Sequence, residues 1–219
     1  MALIDDRPVS SGPSSRPTGP FYAPVASGLP ITIFTFGFAL AVLSLSNAQV
    51  FTPKAAGLWV PVAFACGLGN LIGGLWSFRA NDVYGATFGI AYGVFLVATG
   101  LIVGFFAPGI VAAAGAAGFG GAFGSWLFLW AVFSLVFAYG AYYVNAPAFI
   151  VFCGLVVIFV LLALANVGPA NLAVALTQAA GWLGLLTAAV AWYLAAALIL
   201  NPTIGRDVLP IPSMRPSRA

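Results

Sequence analysis

Residues 67–95, GLGNLIGGLWSFRANDVYGATFGIAYGVF, carry the pattern that best indicates how this chain folds. Glycines recur every four residues, at Gly69 and Gly73 before a short charged turn and at Gly85, Gly89 and Gly93 after it. Four residues make about one helical turn, so each set lies on one face of a helix. A glycine inside a helix costs roughly 1 kcal/mol relative to alanine in water, so its repetition on one face needs a physical reason.

A lipid environment supplies that reason. Little hydrophobic force drives helices together in a bilayer, and small residues let two backbones approach closely. The glycines after the turn therefore predict a helix-packing face, and Gly69 and Gly73 predict the matching face on the preceding helix. The pattern leaves a second interpretation open, because helix faces without side chains can also border a narrow path for a solute.

The composition excludes a soluble domain. Only 5% of the 219 residues are charged and 63% are hydrophobic, whereas soluble domains carry about 25% charged residues. No charged residue lies between Asp82 and Arg206, which suits a medium where a central charge costs at least a few kcal/mol.

Other function classes lack the residues they require. Histidine is absent and no cluster of Cys, Asp and Glu occurs, so the sequence predicts no metal site, no cofactor and no enzyme. The net charge of +3 comes mostly from the two ends of the chain. It favours contact with anionic lipid headgroups over nucleic acid, since no basic patch has interleaved aromatic residues.

The hydrophobic pattern predicts an all-α membrane protein, a bundle of six transmembrane helices. Each apolar segment approaches or exceeds the 20 or so residues that span a bilayer: 29–47, 57–78, 83–106, 123–144, 147–168 and 174–200. The Gly/Ala-rich residues 107–121 are interpreted as a connection that partly folds on the membrane surface. Asn145 is predicted to cap the fifth helix, and Asn201-Pro202 to end the sixth.

Six crossings divide the chain into a membrane domain, residues 29–201, and two tails on the same side of the membrane. The N-terminal tail, residues 1–28, is rich in Pro, Ser and Arg and is expected to be disordered. Of the seven basic residues, only Lys54 falls on the opposite side. The positive-inside rule therefore places residues 1–28 and the C-terminal tail, residues 202–219, in the cytoplasm, with the protein in the cell membrane.

Residues 67–95 resemble the signature of the acetate uptake transporter family, small six-helix carriers of acetate and related monocarboxylates or succinate. Three further stretches resemble this family in the same order: PITIFTFGFALAVLSLSNA (30–48), AGWLGLLTAAVAWYLAAALILN (180–201) and GRDVLPI (205–211). The resemblance covers roughly residues 27–212. It implies homo-oligomers, specifically hexamers, in which each protomer has its own pathway for a small carboxylate.

The resemblance also implies where the pathway narrows. By motif position, Phe36, Tyr92 and Leu155 match the phenylalanine, tyrosine and leucine of the family's constriction. An amide in hydrocarbon needs hydrogen-bond partners, so Asn70 is interpreted either as a tie between helices or as a solute contact. The further candidates for lining the pathway are Pro30, Thr32, Asn70, Thr87 and Asn166.

The predicted mechanism follows from the absence of charged side chains in the long stretch between Asp82 and Arg206. Neutral donors bind a carboxylate weakly, which favours channel-like passage through a hydrophobic constriction. An acid with a pKa of about 4 is roughly 99.9% anionic at pH 7, and no intramembrane carboxylate or histidine offers a proton relay. We therefore expect the proton to travel with the substrate as the neutral acid. Two alternatives stay open: a channel for small neutral solutes such as ammonia or glycerol, and a non-transporting membrane scaffold subunit.

Overall fold

The computed structural model describes residues 25–214, and every regular element in that range is helical. The predicted disordered tail, apart from its last four residues, lies outside the described residues, as do residues 215–219. The elements are α1 (Leu29–Asn47), a 3₁₀ turn (Ala56–Leu58), α2 (Trp59–Arg79), α3 (Val83–Leu101), a π-helical turn (Ile102–Phe106), α4 (Ala107–Ala141), α5 (Ala146–Val167) and α6 (Ala170–Ile204). The all-helical fold class is confirmed.

Local sequence explains where these helices begin and end. The side chain of Asp82 accepts a hydrogen bond from the Gly85 N–H at 2.8 Å and caps α3. Asn145 caps α5 through the Ala148 N–H, also at 2.8 Å, as predicted. The predicted end of the last helix at residues 201–202 is wrong. Pro202 lies inside α6, which ends at Ile204. Gly205 follows as the C-cap with φ +76°, a left-handed conformation that favours glycine.

The predicted connection at residues 107–121 is helical on both sides of Gly115, where the backbone leaves the helical conformation. Val83–Ala141 therefore forms one helical stretch of 59 residues that is kinked at this glycine. Five continuous stretches of the described chain are therefore long and apolar enough to cross a membrane, where six separate helices were predicted. A straight helix of 59 residues would be about 88 Å long, nearly three times the hydrocarbon core. The break comes at Gly115, with φ +76° and ψ 168°.

The two ends of this long stretch pack against each other. The rings of Tyr84 and Phe137 lie 5.4 Å apart, and those of Phe95 and Trp126 lie 6.2 Å apart. The earlier residue of α3 thus meets the later residue of α4, so the C-terminal part of α4 returns antiparallel to α3. The chain reverses its direction through the residues on either side of Gly115.

The glycine faces bring helices together, with a different pairing from the predicted one. A Cβ added at Gly89 would lie 2.7 Å from the Cα of Gly74, so α3 packs backbone against backbone on α2. Gly69 and Gly73, however, face Thr35 and Thr32 of α1. The α2 glycines opposite α3 are Gly67 and Gly74, seven residues apart and hence on one face. The spacing of glycines along a helix therefore identifies a face without side chains, but it does not identify which helix packs on that face.

Residues 205–213, the C-terminal strap, fold back along the end of α6. The side chain of Asn201 accepts a hydrogen bond from the Leu209 N–H at 3.0 Å and donates one to the Leu209 carbonyl at 2.8 Å. Further along, the Pro212 carbonyl accepts from the N–H of Ala146 at 2.8 Å. The strap therefore joins the end of α6 to the start of α5.

Candidate functional site

Phe36 lines two cavities between the helices, called here the large and the small cavity. The large cavity, about 260 Å³, lies towards the α1–α2 and α5–α6 connections. The small cavity, about 40 Å³, lies towards the α2–α3 and α4–α5 turns. A cavity needs about 10–15 Å³ to hold one water molecule. The large cavity therefore has room for a solute of several heavy atoms, whereas the small one admits only a few waters.

Three of the helix faces around the large cavity carry lining side chains at the same sequence spacing. Its lining side chains fall four, seven and eleven residues after each predicted constriction residue, a series that keeps to one helix face. They are Leu40, Leu43 and Asn47 after Phe36, Leu96, Thr99 and Val103 after Tyr92, and Phe159, Leu162 and Asn166 after Leu155. The three predicted positions therefore begin the stripes that converge on one cavity.

Between the two cavities lies a layer of apolar side chains. Phe36 is 3% exposed and Leu155 is 1% exposed. The Phe36 ring packs edge-to-face on Phe88 at 5.5 Å and on Tyr92 at 5.3 Å. Phe88 and Phe152 continue the layer into the wall of the small cavity. Such a layer excludes water, which is how hydrophobic constrictions gate a path by dewetting.

Tyr92 supports this layer but lines neither cavity. Its hydroxyl lies 2.6 Å from the Ser134 hydroxyl, which in turn donates to the Trp130 carbonyl at 2.7 Å. Since Ser134 has one proton to give, the Tyr92 hydroxyl is the donor to Ser134. The ring of Tyr92 is thus fixed between Phe36 and α4, with its hydroxyl directed at α4.

The polar groups of the large cavity are all neutral. Four of its lining side chains are polar and none is charged: Asn47, Thr99, Asn166 and Thr177. Asn166 donates one N–H to the Leu162 carbonyl at 2.8 Å, and its second N–H remains available to a solute. Thr99 accepts a hydrogen bond from the indole of Trp126 at 3.2 Å. The cavity thus offers neutral donors set in a largely apolar wall.

The other predicted pathway residues lie elsewhere. Asn166 lines the large cavity, but four residues line neither cavity: Pro30, Thr32, Asn70 and Thr87. Asn70 is buried and donates to the Thr35 hydroxyl of α1 at 3.0 Å, which fits the interpretation as a tie between helices. The Thr32 hydroxyl donates to the Gly28 carbonyl in the first turn of α1, where Pro30 also lies. Thr87 is exposed, and its hydroxyl donates to the Val83 carbonyl.

Sequence reasoning missed three polar residues of the large cavity: Asn47, Thr99 and Thr177. A usable signal existed for two of them. Asn47 and Thr99 follow Phe36 and Tyr92 at helical spacing, so a search along the constriction faces would have found both. Thr177 carries no such signal, because no predicted constriction residue lies on α6.

Apolar helices of membrane-crossing length around an uncharged cavity define a multi-pass helical membrane protein. The sequence profile of the GPR1/FUN34/yaaH family matches residues 15–214, and the chain belongs to this family. The resemblance to the acetate uptake transporter family is thereby confirmed.

Individual relatives agree with this assignment. The chain is 30% identical over 187 residues to the succinate-acetate/proton symporter SatP of Escherichia coli (strain K12), covering 85% of this chain and 95% of the relative. It is 31% identical to ammonia transport outward protein 2 of Saccharomyces cerevisiae, over 84% of this chain and 64% of the relative. The solved structure of the bacterial acetate channel SatP matches with a TM-score of 0.73 at 29% identity, over 85% of this chain and 99% of that chain.

Proposed function

We propose that this protein conducts acetate-like monocarboxylates across the cell membrane. The observation that carries the proposal is the large uncharged cavity, which ends at Phe36 and Leu155. It occurs in a chain whose relative is a succinate-acetate/proton symporter. A few-carbon acid suits this cavity, because its carboxyl meets neutral donors while its alkyl part meets leucine and phenylalanine.

The proposed arrangement in the membrane has six crossings with both termini in the cytoplasm. The antiparallel return of α4 along α3 supports six crossings rather than five. Arg79 and Arg206 lie at the end with the small cavity, while Lys54 lies at the other end, which favours this orientation. The large cavity then opens towards the outside. Assembly as a hexamer is carried over from the family resemblance as part of the proposal.

In the proposed mechanism the solute pauses in the large cavity and then passes the Phe36–Leu155 layer, with Tyr92 holding the Phe36 ring in place. Weak binding suits rapid passage, because a buried full charge would hold an anion too tightly. The apolar layer favours the neutral acid over the anion. The neutral fraction falls about tenfold for each pH unit above a pKa of about 4, so uptake should fall as pH rises.

A second candidate function is conduction of ammonia. It is favoured by the similarity to a yeast protein named for outward ammonia transport, and an uncharged cavity also accommodates a small neutral molecule. The two candidates differ in their competitors, since propionate should compete with acetate but not with methylammonium.

The test uses purified protein in lipid vesicles with labelled acetate, propionate, lactate, succinate, glycerol and methylammonium. We expect acetate uptake above that of protein-free vesicles, with a rate that follows the undissociated acid from pH 6 to 8. Leu162→Trp, which fills the large cavity, should abolish this uptake, whereas Leu164→Trp on the exposed face of α5 should not. Uptake of methylammonium alone would support the ammonia function instead, and equal uptake by both tryptophan variants would rule out this path.

A further inference from the structure

Thr99 differs from most hydroxyl residues in these helices. Thr87 and Thr187, for example, donate to the carbonyl four residues earlier, at 2.8 and 2.9 Å, which is the usual arrangement in membrane helices. Thr99 makes no such bond. Its partner in the described part of the chain is the indole N–H of Trp126 on α4, at 3.2 Å, and its hydroxyl oxygen is the acceptor.

The Trp126 side chain is held firmly for this contact. Its ring stacks on Phe95 with an interplanar angle of 14° and meets Trp130 edge-to-face at 5.7 Å. Phe95 lies one helical turn before Thr99 on the same helix. The indole therefore fixes one lone pair of the Thr99 oxygen, and with it the directions left for the hydroxyl proton.

That proton lacks an acceptor among residues 25–214. A threonine hydroxyl has one proton to donate and two lone pairs, and the one hydrogen bond of Thr99 uses a lone pair. The side chain is 5% exposed, so bulk water does not compensate. It lines the large cavity, whose interior is where the hydroxyl can find a partner.

We infer that Thr99, positioned by Trp126, donates the hydrogen bond that selects carboxylates in the large cavity. The inference rests on the proposed function and adds to it the residue that distinguishes solutes. A hydroxyl that already accepts an N–H is a stronger donor, because linked hydrogen bonds polarise one another. It therefore suits the carbonyl oxygen of a carboxylic acid, which accepts, whereas an ammonium ion, which only donates, makes no use of this proton.

The test compares the Michaelis constant, KM, for acetate in vesicles containing four variants. Thr99→Val keeps the shape and removes the hydroxyl, and a hydrogen bond between neutral groups is worth roughly two- to tenfold in affinity. We expect KM to rise about fivefold by that measure, with little change in kcat. Thr99→Ser should stay near wild type because it keeps the donor. Trp126→Phe should raise KM about threefold, and Thr87→Val, on the exposed face of α3, should have no effect.

A double variant separates positioning from a general structural effect. If Trp126 acts through Thr99, then Thr99→Val combined with Trp126→Phe should be no worse than Thr99→Val alone. Fully additive losses would overturn the positioning role. A KM for Thr99→Val within twofold of wild type, or Thr99→Ser as impaired as Thr99→Val, would overturn the donor role. Methylammonium uptake, where present, should be unchanged or higher in Thr99→Val.

A binding measurement that does not depend on transport distinguishes failure of the proposed function from failure of the inference about Thr99. Saturation-transfer NMR of the detergent-solubilised protein with acetate detects weak occupancy of the cavity without any flux. If wild-type vesicles take up no acetate, the proposed function fails. The inference then stands if the acetate signal is present and is lost in Thr99→Val, and it falls if the signal is absent or independent of Thr99.

Discussion

The contact between α2 and α3 permits a sharp test of the packing argument through Gly89→Ala. A Cβ at this position would lie 2.7 Å from the Cα of Gly74 and 2.9 Å from both the Asn70 carbonyl oxygen and the Gly74 nitrogen. All three are backbone atoms, so no side chain can rotate away. Gly121→Ala on α4 is the matched control, because nothing lies within 4 Å of its added Cβ.

The expected cost follows from the size of the overlap. Ordinary carbon contacts begin at 3.4 Å, so Gly89→Ala requires α2 and α3 to separate by about 0.7 Å. A gap of that size forfeits a quarter to a half of the dispersion energy of each affected atom pair, and overpacking typically costs about 1–3 kcal/mol. Alanine returns up to about 1 kcal/mol through its helix propensity. Because the three clashing atoms all belong to the backbone, the upper part of this range applies, about 2–3 kcal/mol. The net loss is therefore about 1–2 kcal/mol for Gly89→Ala, against a small gain for Gly121→Ala.

Thermal unfolding of the purified protein in detergent measures this difference. For a chain of this size 1 kcal/mol shifts Tm by about 2–4 °C, so Gly89→Ala should lower Tm by roughly 2–8 °C. Gly121→Ala should leave Tm unchanged or raise it by up to about 4 °C. A Tm for Gly89→Ala equal to or above that of Gly121→Ala would refute the close backbone contact between α2 and α3.

Three further variants test the apolar layer between the two cavities and the C-terminal strap. Phe36→Leu trims the side chain shared by both cavities, so acetate uptake in vesicles should rise, and a lower rate would mean that Phe36 does not limit passage. Tyr92→Phe removes the hydrogen bond to Ser134 and should lower uptake while costing only about 0.5–1.5 kcal/mol of stability; unchanged uptake would remove Tyr92 from the mechanism. Asn201→Ala releases the C-terminal strap, so trypsin should cleave after the exposed Arg206 several-fold faster, and an equal rate would show that the strap is held by other contacts.

Local chemistry explains why the helix positions could be predicted. The aspartate before α3 and the asparagine before α5 act within their own helix turns, so their capping roles follow from neighbouring residues alone. The connection at residues 107–121 could not be predicted in this way. Glycine and alanine there are compatible with helix or loop, and local sequence does not say which of the glycines breaks the helix. The break falls at Gly115, and α4 then returns along α3.

The candidate site likewise contains some residues that the sequence identifies and others that only the tertiary structure places. The first-helix phenylalanine and fifth-helix leucine implied by the family resemblance do line the large cavity. Asn70 and Asn166 are both asparagines in apolar helices, yet Asn70 bonds to α1 while Asn166 lines the cavity. Asn166 lies eleven residues after Leu155 on the same helix face, whereas Asn70 follows no predicted constriction residue. Only the tertiary structure shows that Thr35 of α1 lies opposite the Asn70 amide.

The amino-acid sequence alone is enough to predict that this protein lies in a lipid bilayer and that it is helical. A chain without charge over more than a hundred residues must pair its backbone groups internally in lipid, and helices do so with local hydrogen bonds alone. Which helix covers each glycine face, and which hydroxyl is left with a proton to donate, follow from the packing of the helices against one another. Those outcomes depend on contacts between residues far apart in the chain, such as Trp126 with Thr99, and helical periodicity specifies a face without specifying its partner.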